Sequence, residues 1–318
     1  MDNTLIPRLE ILDAYWRFAA HRQEAFFNRI RGAPPPWTDD EIINSYKFCN
    51  VYRASDRTSQ YLIKNVIYSG DQSEEEVIFR TLLFRIFNRI ETWQYLKSKL
   101  GEITEKEFNF EIYRKLLEEA QANARPIYTS AYMSCASKAY GYGRKYENHL
   151  ALVAQMIKKD RIAGKITDAK GLKDIFLMLL SYPLLGKFMA YQLATDLNYS
   201  DAVNFSENSF TAAGPGAKRG IAKCFIAKGG LSDEQIIFWA VENQDREFAR
   251  LGIEFQSLWG RPLHAIDCQG LFCELDKYSR VAFPELKSTR KKIKAVFKPS
   301  PQKIDYFYPP KWGINGRI

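Results

Sequence analysis

Acid–base chemistry in this sequence has to rest on carboxylates. The chain has three widely spaced histidines, His21, His149 and His264, none of them in an HExxH or HxE…CxxC arrangement. In the segment 264–280, Asp267 and Gln269 stand between apolar neighbours, which favours a polar pocket. Asp276 and Arg280 are four residues apart, the spacing of a structural ion pair on one helix face.

A glycine-rich loop followed by cations offers phosphate binding. Gly214 and Gly216 allow a close backbone approach, and Lys218 and Arg219 fall on the helical turn that follows, where N–H donors and cations can meet one anion. Lys223 extends that charge. The alternative is a tight loop that leads into a solvated basic helix.

A second turn has the same potential. The segment 182–196 is a Pro–Gly turn followed at once by an amphipathic helix. The first turn of a helix has free backbone N–H groups, to which a phosphate can bind. The alternative is an ordinary helical hairpin in the core.

The elements that must position these groups are helical almost throughout. Apolar residues on one face predict a long helix from about residue 73 to 93: Ile78, Leu82, Ile86, Ile90 and Trp93. Similar periodicity predicts helices over 5–30, 40–68, 107–122, 146–163, 172–195 and 232–258. Alternating strands joined by Asn-Gly or Asp-Gly turns are missing, so we expect an all-α fold.

Charge is concentrated at the C-terminal end. The 318 residues have a net charge of +9, and 46% are hydrophobic, which excludes a disordered chain. Nine Lys/Arg and one acid lie in 287–318, so nearly all the excess is there. A basic tail suits a polyanion, and we expect Lys291 and Lys292 to contact DNA phosphates; a solvated tail, a membrane surface or an acidic protein are the alternatives. Its prolines predict a tail that is extended over the surface or loose.

Several classes of protein are excluded by missing motifs. GxxxxGK[ST] and GxGxxG do not occur, so neither a P-loop kinase nor a Rossmann dinucleotide site is expected. The five cysteines form no metal or disulfide pattern, so we expect no metal and no cofactor. No apolar run approaches a membrane span and no signal peptide is visible, which predicts a cytoplasmic protein without membrane contact. The oligomeric state stays open.

Five blocks in order resemble one known family. They are FCNVYRASDR (48–57), FRTLLFRIFN (79–88), GKFMAYQLATDLNYS (186–200), FTAAGPGAKRGI (210–221) and IDCQGLFCELDKYSR (266–280). They are similar to the α-glutamyl/putrescinyl-thymine pyrophosphorylases, also described as the helical domain of hydroxymethyl-deoxyuridine DNA kinases. The resemblance implies an all-α fold like that of the helix-hairpin-helix DNA glycosylases and a role on hypermodified phage DNA. The kinase module of some relatives is missing from this sequence.

The resemblance also implies domains and site residues. We expect an N-terminal helical extension (1–39), a two-lobed glycosylase-like domain (40–290) and the basic tail (291–318). In helix-hairpin-helix glycosylases the essential carboxylate follows the last hairpin glycine by roughly twenty residues. Counting from Gly186 gives Glu207 as the catalytic carboxylate, with Asp267 as the second candidate. The hairpin here keeps one glycine of the usual pair, and Glu replaces the usual Asp.

The remaining site residues would hold DNA. Phosphate contacts are predicted for Gly186, Lys187, Gly214, Gly216, Lys218, Arg219 and Lys223 besides the tail lysines. A base pocket is predicted from three aromatic rings and three amides: Phe188, Tyr191, Phe210, Gln192, Asn208 and Gln269. Core packing is the alternative for each ring. Five further family positions fit either a substrate contact or a buried polar network: Arg53, Asp56, Arg57, Arg80 and Asn88.

These inferences favour a metal-free DNA glycosylase. It would hydrolyse the N-glycosidic bond of a flipped, hypermodified nucleotide in phage DNA and leave an abasic site, as antiviral defence. A carboxylate near the sugar would stabilise the oxocarbenium-like transition state. The first alternative is a transferase that displaces pyrophosphate from an activated thymine and installs an amine. The second is a DNA-binding module without catalysis.

Overall fold

The computed structural model describes residues 4–129, 135–286, 292–298 and 304–318. The α-helices are α1 (Leu9–Ile30), α2 (Glu41–Ser45), α3 (Arg57–Leu62), α4 (Glu74–Phe87), α5 (Ile90–Leu100), α6 (Phe110–Ala122), α7 (Lys145–Ala154), α8 (Ile162–Thr167), α9 (Leu172–Leu180), α10 (Lys187–Leu197), α11 (Pro215–Cys224), α12 (Asp233–Arg250) and α13 (Ala265–Ala282). The strands are β1 (Leu5–Pro7) and β2 (Phe225–Lys228). Short π-helical and 3-10 turns are Ile63–Ile67, Gln155–Lys159, Arg53–Ser55, Pro310–Trp312 and Asn315–Arg317. The prediction of a mainly helical fold is confirmed.

The chain forms two compact units. Unit 1 comprises Met1–Asp56, Phe210–Asp305 and Arg317–Ile318, and unit 2 comprises Arg57–Ser209 and Tyr306–Gly316. These bounds cross the predicted domain borders, because helix α1 packs on α11 and α13 within unit 1. Helix α1 is therefore part of that unit's core.

Helix α13 is the centre of unit 1, where α1, α2, α11 and α12 pack on it. Its contact with α11 is the most extensive, because two glycines of α11 let the backbones approach. A Cβ at Gly220 would lie 2.0 Å from the Phe272 carbonyl oxygen, and one at Gly216 would lie 2.2 Å from Cys273 Sγ. Neither position has room for a side chain.

A small sheet adds to unit 1. Strand β1 pairs antiparallel with β2, with Ile6 opposite Ala227, and the register is irregular beside Pro7. Because Pro7 lacks an N–H and fixes φ, the helix predicted from residue 5 begins only at Leu9.

Helix α4 is the centre of unit 2, where α7, α8 and α10 pack on it. Every residue from Glu76 to Phe87 is buried. The helix predicted to continue to residue 93 ends at Phe87, because the next residue, Asn88, adopts a left-handed conformation (φ 50°) that separates α4 from α5. The helix predicted over 172–195 is likewise interrupted, by the turn between α9 and α10.

The part of the chain end that belongs to unit 2, Tyr306–Gly316, is anchored there. In unit 2 Tyr308 is fully buried, the Phe307 N–H donates to Gln60 Oε1 (2.7 Å), and Lys311 Nζ donates to the carbonyls of Ser200 (2.8 Å) and Val203 (2.7 Å). Of the two predicted alternatives, a tail extended over the surface and a loose tail, the loose one does not hold for the residues that make these contacts. Lys311 is engaged within the protein and is not a free cation.

Among the described residues no helix is both long enough and apolar enough to cross a bilayer. The same residues contain no group of three or more His, Cys, Asp or Glu side chains arranged for a metal ion.

Candidate functional site

The hairpin formed by α9 and α10 presents a helix N-terminus to solvent. Gly186 caps α10 and is exposed with Lys187, whereas every residue from Met189 to Leu197 is buried. The first N–H groups of a helix have no intrahelical acceptor, so this end of α10 carries donors and partial positive charge. The arrangement can bind an anion such as a phosphate.

The hairpin turn has an unusual backbone. Leu184 adopts φ +70°, in the left-handed region that favours glycine, although its side chain is only 8% exposed. Leu184 lies two residues before Gly186 in this turn. The turn keeps a glycine-like conformation with a leucine that packs into the core.

Cations are concentrated around this hairpin in what we call the basic segment, residues 158–187. It contains three acids and seven exposed cations, Lys158, Lys159, Arg161, Lys165, Lys170, Lys173 and Lys187. Lys158 binds Glu105 (2.6 Å) beside a cleft of about 430 Å³ that Glu75 also lines. The other six cations have no ion pair within the described residues. This segment was not among the predicted phosphate contacts except for Gly186 and Lys187, although its charge excess is visible in the sequence.

Glu207 lies in a loop of unit 2 that follows α10. Asn198, at the end of α10, holds the loop because its side chain exchanges two hydrogen bonds with the Phe205 backbone (2.9 and 3.0 Å). Glu207 is half-buried and Asn208 is exposed. The carboxylate thus stands at the opposite end of α10 from Gly186, about 16 Å along the helix axis for eleven residues.

The predicted base-pocket residues differ in exposure. Tyr191 and Gln192 on α10 and Gln269 on α13 are each at most 4% exposed. Phe188 and Phe210 are half-buried. The six side chains belong to different units, with Phe210 and Gln269 in unit 1. Their assignment to a base pocket stays a prediction.

The glycine-rich loop of unit 1 leads into α11. Gly214 is the N-cap, and Pro215 occupies the first helical position. Lys218 is exposed and lies 3.9 Å from Asp233. Gly216 was predicted to allow a phosphate to approach, but its contact with Cys273 shows that helix packing requires the glycine.

One buried carboxylate gathers the next cations of α11. Asp276 lies 3.0 Å from Arg219 Nε, 3.0 Å from Lys223 Nζ and 2.7 Å from Arg280 Nη2. Lys223 Nζ also donates to Ser279 Oγ (2.9 Å) and is buried, so it does not face an outside phosphate as predicted. Burial raises the pKa of Asp276, but hydrogen bonds from Arg280, Lys223 and Arg219 outweigh it and lower the pKa. The predicted Asp276–Arg280 pair is confirmed.

Asp267 holds the start of α13. Its two carboxylate oxygens accept the backbone N–H groups of Arg53 (3.0 Å) and His264 (3.1 Å), and the side chain is 4% exposed. These bonds link the 3-10 turn at Arg53 to the helix cap, which is a structural role. Of the two predicted tail contacts, Lys292 is exposed and Lys291 lies outside the described residues.

Comparison with known proteins gives a kinase relationship. A family model described as the helical domain of 5-hmdU DNA kinase matches residues 9–288. The chain is 28% identical over 284 residues to the 5-hmdU DNA kinase of Bacillus phage SP10, an alignment that covers 84% of this chain and 44% of the relative. The chain thus spans less than half the length of that relative. No solved structure matches it.

These matches overturn the predicted activity. The relative is a kinase, which transfers a phosphoryl group, so the prediction of a DNA glycosylase that hydrolyses N-glycosidic bonds is wrong. The pyrophosphate-displacing transferase and the DNA-binding module without catalysis do not match either. The roles of Glu207 and Asp267 in glycosidic hydrolysis fall with the glycosylase.

The predicted family is supported in its coarser form. The matched residues contain all five sequence blocks that carried the resemblance, from FCNVYRASDR to IDCQGLFCELDKYSR. They also include α1, which the predicted domain of 40–290 left out. The match does not extend to the pyrophosphorylase name or to the glycosylases. The chain belongs to the family of the 5-hmdU DNA kinase helical domain.

Proposed function

We propose that this chain acts in the phosphorylation of 5-hydroxymethyl-deoxyuridine in DNA, as the helical part of a 5-hmdU DNA kinase. The observation that carries the proposal is the family match over residues 9–288, together with the SP10 relative. The hydroxyl oxygen of the base would bond to the γ-phosphorus of a nucleoside triphosphate such as ATP, the nucleoside diphosphate would leave, and the hydroxyl proton would pass to a general base; DNA would be the acceptor substrate.

The hairpin of unit 2 supports DNA as the substrate. Its exposed helix N-terminus at Gly186 can accept one backbone phosphate, and the unpaired cations of the basic segment can bind neighbouring phosphates. Such contacts fix the position of the protein on DNA without reading the sequence. We propose that this hairpin is a helix-hairpin-helix phosphate grip, which the φ of Leu184 supports.

Glu207 is our candidate for the acceptor side of the reaction. A hydroxyl that attacks a phosphoryl group must be oriented and must lose its proton, and a carboxylate can do both. Glu207 is half-buried in a loop that Asn198 fixes to the end of α10. The same helix would thus join the phosphate grip to the carboxylate. Asp267 is not our candidate, because backbone N–H groups occupy both its oxygens.

A chimeric kinase tests the proposal. The segment of the SP10 enzyme that aligns with this chain is replaced by residues 9–288, and the transfer of label from γ-labelled ATP to 5-hmdU DNA is measured. We expect the chimera to label 5-hmdU DNA and not the matched thymidine DNA, whereas an enzyme without the segment is inactive. The proposal would be overturned by a folded chimera that binds neither the 5-hmdU DNA nor the matched thymidine DNA and transfers no label to them.

A further inference from the structure

A cluster in unit 1 contains more positive than negative charge. This Asp276 cluster consists of Asp276, Arg219, Lys223 and Arg280. Three cations surround one carboxylate, and all their ion pairs among the described residues go to Asp276. The cluster therefore carries a net charge of about +2, with every member except Arg219 nearly buried. Buried charge without a counter-charge is costly, so the cluster favours a bound anion.

The unused donors define where the anion would bind. Lys223 Nζ donates to the Asp276 carbonyl (3.1 Å) and to Ser279 Oγ (2.9 Å), and it lies 3.0 Å from Asp276 Oδ1 as an ion pair, although this oxygen accepts no hydrogen bond from the described residues. Arg219 uses only Nε and Arg280 only Nη2, both toward Asp276 Oδ2. Arg280 Nε is buried and has no acceptor among the described residues, and the remaining guanidinium N–H groups of both arginines also lack one there. Two guanidinium groups thus meet at one oxygen atom, each with donors to spare.

The fold fixes this geometry. Arg219 and Lys223 are one turn apart on α11, and Asp276 and Arg280 are one turn apart on α13. The close packing at Gly220 sets the register of the two helices. Because the Arg219 side chain is 34% exposed and that of Arg280 is 8% exposed, an anion can enter on the Arg219 side.

We propose that Arg219 and Arg280 form a binding site for one phosphate group, held open by Asp276 and Lys223. The guanidinium fork matches the tetrahedral oxygens of phosphate with two donors at once. Asp276 keeps the two cations together, and Lys223 keeps Asp276 in place. The ligand is a phosphate from a DNA backbone or a free phosphate. The site does not depend on the proposed kinase function.

Thermal unfolding with inorganic phosphate tests the site. The full chain is melted in potassium phosphate and in potassium chloride of equal ionic strength, so that general screening cancels. We expect phosphate to raise the melting temperature of the wild type, because a ligand of the folded state stabilises it. R219Q should weaken the apparent phosphate affinity at least about tenfold. R280K keeps the charge but removes the fork and should also weaken binding. The control R246Q removes an exposed cation of the same unit and should behave like the wild type.

A second measurement separates the two phosphate sources. Binding of a short DNA duplex is followed against salt concentration for the wild type and R219Q. If the ligand is a DNA phosphate, R219Q lowers the salt slope by about 0.9; if it is free phosphate, the slope is unchanged while the thermal effect remains. The proposal is overturned if phosphate does not stabilise the wild type, or if R219Q and R280K retain its full phosphate effect. Both outcomes are independent of 5-hmdU phosphorylation.

Discussion

Arg85 of α4 and Asp196 of α10 form a two-pronged ion pair inside unit 2. Arg85 Nη2 donates to Asp196 Oδ1 (2.9 Å), Nε donates to the other oxygen, and Nη1 donates to Asn88 Oδ1 (2.6 Å). Both side chains are at most 1% exposed. The pair joins the central helix of the unit to the helix whose N-terminus forms the proposed phosphate grip.

We expect D196N to destabilise unit 2 strongly. Removing one partner of a buried pair leaves an uncompensated charge, which costs about 3–5 kcal/mol. Urea unfolding of the wild type and the variant measures the loss. The double variant R85M/D196L is the matched control, because an apolar pair of similar volume should recover most of the stability. A loss below about 1 kcal/mol for D196N would show that Arg85 does not need Asp196 to compensate its buried charge.

The basic segment predicts the salt dependence of DNA binding. In K170Q/K173Q/K187Q we expect weaker binding and a salt slope lower by up to about 0.9 for each DNA phosphate that the variant no longer neutralises. The matched control K99Q/K106Q/K115Q removes three exposed cations elsewhere in unit 2 and should leave the slope unchanged. The affinity and the salt slope are both measured by fluorescence anisotropy of a labelled duplex at about 50 to 200 mM salt. Equal slopes in the two triple variants would place the DNA elsewhere.

The acceptor role of Glu207 predicts a separation of chemistry from binding. E207Q keeps the size of the side chain but removes the negative charge, so in the chimeric kinase we expect a loss of about 100-fold or more in phosphoryl transfer, as for a general base. The affinity for 5-hmdU DNA should change little. E91Q, at an exposed glutamate of the same unit, serves as the control. Full activity of E207Q would remove the carboxylate from the reaction.

His149 makes the stability of unit 2 depend on pH. Burial, and next the charge of Lys145, lowers its pKa from 6.5 to about 4. The neutral ring fits its partners, since Nδ1 lies 2.8 Å from Tyr128 Oη and Nε2 lies 3.0 Å from the Cys135 carbonyl. The unfolded chain takes up the proton first, so this contribution is complete above about pH 6.5 and is lost as the pH falls toward 4. The loss is about 3 kcal/mol.

Urea unfolding between pH 7.5 and 4.5, about the window of that titration, measures this effect. Other groups titrate in the same range, so the comparison is with H149N. That variant cannot accept the proton and should lose less stability over the window, although it is less stable at neutral pH. Parallel curves for the two proteins would contradict the assignment.

The mainly helical fold and the family could be predicted from the sequence, whereas the breaks within the predicted helices could not. The apolar stripe from Ile78 to Trp93 predicts one continuous helix, because the left-handed turn at Asn88 leaves the stripe intact. The N-terminal strand was missed because its partner, β2, lies more than 200 residues away. Pairing over such a distance leaves no local pattern.

The site was predictable only in part. The spacing that led to Gly186 identified an exposed helix start, but the same residue types in α11 have a different role, because Gly216 and Lys223 face the neighbouring helix. The polar family positions were ambiguous, and Arg80 and Asn88 are now placed in buried networks. The sequence position of a cation does not show whether a carboxylate on the neighbouring helix pairs with it, as Asp276 does with Lys223.

The left-handed Leu184 makes the hairpin turn dependent on the core beneath it. A non-glycine residue in this region costs roughly 1–2 kcal/mol, and burying a leucine contributes roughly 1.5–3 kcal/mol. The difference is small, so the turn keeps its shape only while the leucine is fully packed. A loosened core would let Leu184 return to an extended conformation and turn the N–H groups behind Gly186 away from the phosphate. The proposed phosphate grip and the core would then weaken together, so a fall in DNA affinity is the expected first sign that unit 2 is losing stability.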